Sequence, residues 1–145
     1  MYRMGFWVSA GCLLCLPAFL PPIGGFRAKA AEGKAATKPA FTHVVVFYLT
    51  KDAPKEEADS LIADCHDMLA KISTVRELKA GKPSDKGAPM VSRTDYHVGL
   101  LVLFDNADGM KAYLDDKLHQ DFITKHGKYI DRDKLIVLDF QDQAK

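Results

Sequence analysis

His43, Tyr113 and His119 are the side chains whose types and setting could do chemistry. His43 falls in the run HVVVFYLT and shares a period-two face with Val45 and Phe47, which directs it toward whatever covers that face. If Tyr113 and His119 approach it there, the three form a small polar cluster in an apolar cavity, where an imidazole can act as acid or base near neutral pH. A structural role is the competing reading, because histidines at strand ends and helix breaks often only bond backbone groups, and Tyr113 can be plain core.

Other chemistries are poorly provided for. His119 and His126 are seven residues apart, or roughly 10 Å along a continuous helix, too far for one metal ion without a bend. His97 would have to join them from the other face of a sheet, so neither metal nor cofactor is expected. The chain has no Gly-rich phosphate loop and no G-x-S-x-G elbow. His66 falls beside Asp59 and Lys55, off the apolar stripe of its helix, and reads as a solvated surface residue.

Several elements must position these groups. The run from Asp95 to His119, DYHVGLLVLFDNADGMKAYLDDKLH, holds a strand apolar on both sides, with Val98, Leu100, Val102 and Phe104 on one face and Gly99, Leu101 and Leu103 on the other. A helix follows with Ala107, Met110, Leu114 and Leu118 along one side and Tyr113 beside them. The helical pattern restarts after His119, with Phe122 and Ile123 inward, and stops at Gly127.

Upstream, the strand from Phe41 gives way to a helix predicted to start at Asp52 or Ala53, with Pro54 in its first turn, and to run to about Ile72. Its stripe is Ala58, Leu61, Ile62, Cys65, Met68, Leu69 and Ile72. Val75 to Ala80 alternates apolar and charged residues, the pattern of an edge strand with one wet face. Residues 81–94 are rich in Gly, Pro and Ser and read as a loop. The last strand, LIVLDF, points Leu135 and Val137 one way and Ile136, Leu138 and Phe140 the other.

The front of the chain has a different task. Arg3, an apolar run to Leu20 and the box Ala28-Lys29-Ala30 have the layout of a signal peptide, with cleavage expected after Ala30. Pro17, Pro21 and Pro22 keep the uninterrupted apolar run below the roughly 20 residues a spanning helix needs. A lipoprotein reading through Cys12 leaves too short an apolar segment. Residues 1–30 are therefore read as signal peptide, 31–41 as flexible linker and 42–142 as the folded domain, exported to the periplasm or outside the cell. Cys12 and Cys15 leave with the signal, so Cys65 is expected as a buried small hydrophobe.

With 20 basic and 19 acidic residues interspersed over 145 positions, the chain lacks the charged surface that nucleic acid or an anionic membrane selects. The element order is strand, helix, strand, strand, helix, strand. This predicts an α+β fold: a ferredoxin-like βαββαβ antiparallel sheet with its helices on one face. Three of the four strands are apolar on both sides, while the helices cover one side only. A homodimer through the open sheet face, closing a dimeric α+β barrel, is the expected partner arrangement.

This topology, the strand T-H-V-V-V-F, the strand D-Y-H-V-G-L-L-V-L-F and the segment A-Y-L-D-D-K-L-H-Q-D-F together resemble the stress-responsive A/B barrel (Dabb) family over about residues 42–142. Many members carry H-P-x-H where this chain has Asp116-Lys117-Leu118-His119. Some plant members are polyketide cyclases. The resemblance implies a pocket between sheet and helices that uses a histidine on the first strand, one on the third, and a tyrosine and histidine on the second helix. His43, Tyr113 and His119 fall at three of these positions. The third-strand position falls on Val98, with His97 one residue earlier and facing the opposite way. The expectation is a module binding a small apolar molecule between sheet and helices. The alternatives are a small-molecule enzyme, lyase-like or monooxygenase-like, using His43 and His119 as acid/base groups, and a purely structural interaction domain.

Overall fold

The computed structural model describes residues 38–88 and 90–143. The expected signal segment, and the linker as far as residue 37, lie outside the described residues. Among the described residues, four strands, β1 (Phe41–Phe47), β2 (Glu77–Gly81), β3 (Val98–Phe104) and β4 (Ile136–Gln141), and three helices, α1 (Glu57–Asp67), α2 (Ala107–Asp115) and α3 (Lys117–His126), follow in the order β1-α1-β2-β3-α2-α3-β4. The sheet order is β2-β3-β1-β4, and every neighbouring pair is antiparallel. This is the expected ferredoxin-like arrangement, with the wet strand β2 at one edge.

Period-two alternation divides the sheet into two faces. His43, Val45 and Phe47 of β1 and Val98, Leu100, Val102 and Phe104 of β3 are all buried on the helix side. Full burial of such side chains stabilises the fold by about 1.5–3 kcal/mol each. Leu61, Cys65 and Leu69 meet them from the α1 side, and Met110, Tyr113 and Phe122 from α2 and α3. Cys65 is fully buried, as its place on the α1 stripe predicts, and desolvation with the neighbouring Asp64 charge pushes its thiol up to about 12. The opposite face carries Val44, Val46, Leu101 and Leu103 half-buried, while Leu138 and Phe140 are 54% and 55% exposed. Among the described residues no helix covers that face.

Two helix boundaries differ from those the sequence predicts. Residues 50–57 form successive tight turns, with Ala53 N–H donating to the Thr50 carbonyl and Glu57 N–H to that of Pro54. Pro54 therefore sits in a turn, and α1 starts at Glu57 instead of near Asp52. At its other end α1 stops at Asp67, and a single 3₁₀ turn, Leu69–Lys71, carries the apolar stripe on to Leu69 and Ile72.

The second break comes earlier than His119. Asp116 has an extended backbone (ψ 142°), and its Oδ1 accepts from Leu118 N–H at 2.8 Å. It thus ends α2 and N-caps α3, which places His119 in the first turn of a new helix. Asn106 starts α2 in the same way, accepting from Gly109 N–H at 2.9 Å. Gly127 ends α3 as expected but keeps right-handed dihedrals (φ −58°), so its use there is not a left-handed turn.

His126 fastens α3 to α1. Its imidazole is 1% exposed, with Nδ1 2.6 Å from Glu57 Oε1 and Nε2 2.7 Å from Asp64 Oδ2. Lys125 also reaches Asp64. Its spacing from His119 is a poor fit to a metal pair, and the fold uses it as a cross-brace.

Candidate functional site

A cavity of about 470 Å³ lies between the helix face of the sheet and the helices α2 and α3. Its walls are apolar, with Val45, Phe47 and Leu100 from the sheet and Met110 and Phe122 from the helices. Leu114 and Ile123 flank it at 37% and 36% exposure. Both were expected to pack inward, but the break at Asp116 turns the buried stripe onto Met110, Tyr113 and Phe122.

His43, Tyr113 and His119 all line this one space. Strand register puts His43 on the inner face, and the Tyr113 ring lies 6.1 Å from it and 4.7 Å from the His119 ring. The phenol is held against Phe104, with ring centroids 5.1 Å apart. Desolvation, with Cys65 as a lesser cause, pushes the Tyr113 hydroxyl well above its ordinary range. It therefore stays protonated at neutral pH and serves as a hydrogen-bonding group, not a base.

His43 has a partner that no neighbouring residue in the sequence announces. Its Nδ1 lies 2.6 Å from Asp139 Oδ1, and Asp139 is the direct cross-strand neighbour of His43 on β4. An Nδ1–H donating to that carboxylate fixes the tautomer and leaves Nε2 for other partners. The signal was present in the strand LIVLDF, where Asp139 continues the Leu135 and Val137 parity, but its meaning depended on the β1–β4 register.

His119 is the complementary case. Its Nδ1 is buried with no hydrogen-bond partner among the described residues. Desolvation holds its pKa below the ordinary imidazole value and the nearby His43 adds to this, against opposing contributions from the Leu114 backbone and Asp116. A neutral imidazole with an unmet buried nitrogen costs about 1–3 kcal/mol until something pairs with it. The cavity therefore offers a neutral imidazole, a phenol and a carboxylate-oriented imidazole, a set suited to hydroxyl or carbonyl oxygens.

His97 stays out of this space. It is exposed just before β3, and its Nδ1 accepts from Leu49 N–H at 3.0 Å. Val98 takes the inner position, fully buried, as its parity predicts. His66 is exposed on α1. Among the described residues no three His, Cys, Asp or Glu side chains converge on a point that could hold a metal ion.

The stress responsive A/B barrel domain (Dabb) family model matches residues 41–142. The chain belongs to this family. Among solved structures, a Dabb family protein with a ferredoxin-like fold from Mesorhizobium loti is similar at 20% identity, covering 74% of this chain and 100% of that one, with TM-score 0.58. A dimeric ferredoxin-like protein of unknown function from Thermobifida fusca is similar at 14% identity, covering 72% and 92%, with TM-score 0.59. The hydroxynitrile lyase of Passiflora edulis is similar at 17% identity, covering 74% and 98%, with TM-score 0.58. Among curated proteins none matches the chain. At these identities the solved structures show the shared fold alone and leave the chemistry to the site itself.

Proposed function

We propose that this Dabb domain binds a small, largely apolar molecule between sheet and helices. The observation that carries the reading is a cavity of about 470 Å³ whose polar groups include His43, Tyr113 and the unpaired Nδ1 of His119. Greasy walls with a few convergent polar groups are the usual make-up of small-molecule sites. Thermal unfolding in the presence of hydrophobic phenolic and ketide compounds tests it. Wild-type protein is stabilised by at least one of them, and His43→Ala loses the response. The reading fails if no compound shifts the transition and both His43→Ala and His119→Ala fold as wild type does.

A second reading, turnover, draws on the same geometry. The His43–Asp139 contact of 2.6 Å and a His119 kept neutral by burial are arrangements that serve proton transfer. A solved enzyme of this architecture, the Passiflora edulis hydroxynitrile lyase, bears on the reading only by analogy. Turnover abolished by either His43→Ala or His119→Ala would establish it.

The domain is further proposed to work as an exported homodimer. The uncovered apolar face with Val44, Val46, Leu101, Leu103, Leu138 and Phe140 supports pairing with a second copy, as does the dimeric state of the Thermobifida fusca structure. A stable dimer covers about 800 Å² per partner, which a four-stranded sheet can supply. Export rests on residues 1–30 alone, and amino-terminal sequencing of the mature protein tests cleavage after Ala30.

A further inference from the structure

The cavity has one charged wall residue without a partner among the described residues. Arg132 lines it from the segment between α3 and β4, is exposed, and makes no ion pair or hydrogen bond among the described residues. Its neighbours are otherwise engaged. Asp131 pairs with Lys134 at 2.8 Å, and Asp139, the cavity's carboxylate, is taken by His43 at 2.6 Å. A guanidinium stays charged at any physiological pH and presents a planar fork of donors that matches a carboxylate. His119, kept neutral by burial, cannot supply that charge and is fitted instead to a neutral hydroxyl or carbonyl.

Resting on the ligand-binding reading above, we propose that the ligand is a carboxylate with an apolar body, its anionic end held by Arg132. The apolar body lies against Val45, Leu100, Phe122 and Val137. Val137, 45% exposed on the face that carries His43, leaves apolar surface for that body to cover. The cavity thus separates its duties, with a permanent cation for charge and an uncharged cluster for a second, neutral oxygen.

Matched probes test this. Titrating 4-butylbenzoate and 4-butylbenzamide into wild-type protein and Arg132→Gln compares ligands that differ mainly in charge. The expected result is tighter wild-type binding of the benzoate, weakened about ten- to hundredfold in Arg132→Gln, the range for losing one charge-assisted contact. Benzamide affinity is unchanged by the substitution, and so is the unfolding temperature of the ligand-free protein. Equal affinities for both probes, or a benzoate affinity indifferent to Arg132→Gln, overturns the anionic assignment while leaving the cavity reading intact. If neither probe binds and the phenolic and ketide panel is also silent, the cavity reading itself falls and this one with it.

Discussion

At the scale of single residues, three histidines in one small domain have three different sets of neighbours. His43 faces a carboxylate, His119 faces apolar walls and His126 lies between two acids. For His119 the consequence for stability has a definite sign. Its folded pKa is depressed below the ordinary value of 6.5, so the unfolded chain takes up a proton that the folded chain refuses. Its contribution to stability is present above that value and is lost as pH falls toward the folded value. Urea unfolding at about pH 7.5 and about pH 5 should show wild type losing more stability on acidification than His119→Phe does. An identical acid response in the two proteins would contradict the burial assigned to this ring.

His126 makes the sharper mutational test. Replacing it with Leu removes the hydrogen-bond partner of the buried Glu57 and one of the partners of Asp64, and leaving a buried polar group unsatisfied typically costs about 1–3 kcal/mol. A denaturation midpoint for His126→Leu within error of wild type would show that the brace is ornamental. None of this was legible in the chain. His126 sits at helical spacing with nothing nearby in sequence to mark it, and its partners are 69 and 62 residues away. Asp139 was hidden for the same reason, since a carboxylate in a terminal strand means nothing until the strand is paired.

At the scale of elements, the caps decide where the cavity walls stand. Asp116 is the junction, ending α2 and capping α3 through Leu118 N–H. Asp116→Ala should lower stability by about 1 kcal/mol, as for other N-caps. It should also shift the His119 ring resonances, because the first turn of α3 loses its anchor. Asn106→Ala should cost a similar amount without moving those resonances. Strand and helix periodicity could be read from residues such as Val98, Leu100, Val102 and Phe104, whose alternation left little choice of face. Boundaries were harder. The stretch from Thr50 to Glu57 is compatible by local preference with a helix start at Asp52 or Ala53, but the Ala53 and Glu57 N–H groups bond within turns. The break at Asp116 likewise depended on one side chain's choice of partner.

On the scale of the whole molecule, one sheet has two apolar faces with different fates. Helices roof the first incompletely, which leaves the hollow around His43, Tyr113 and His119, while the second carries Leu138 and Phe140 in the open. Sedimentation of the residue 31–145 protein at micromolar concentration should give a dimer, and Leu138→Lys should give a folded monomer. A monomeric wild type would leave that face unexplained. Whether the hollow takes a ligand is decided by calorimetric titration of a hydrophobic phenol that stabilises the protein. Wild type should take up one molecule per subunit with a negative heat-capacity change, and Leu114→Trp, which fills the cavity at its exposed flank, should bind at least about tenfold more weakly. Absence of saturable heat in wild type, or equal affinity in Leu114→Trp, would mean that the hollow is not a binding site.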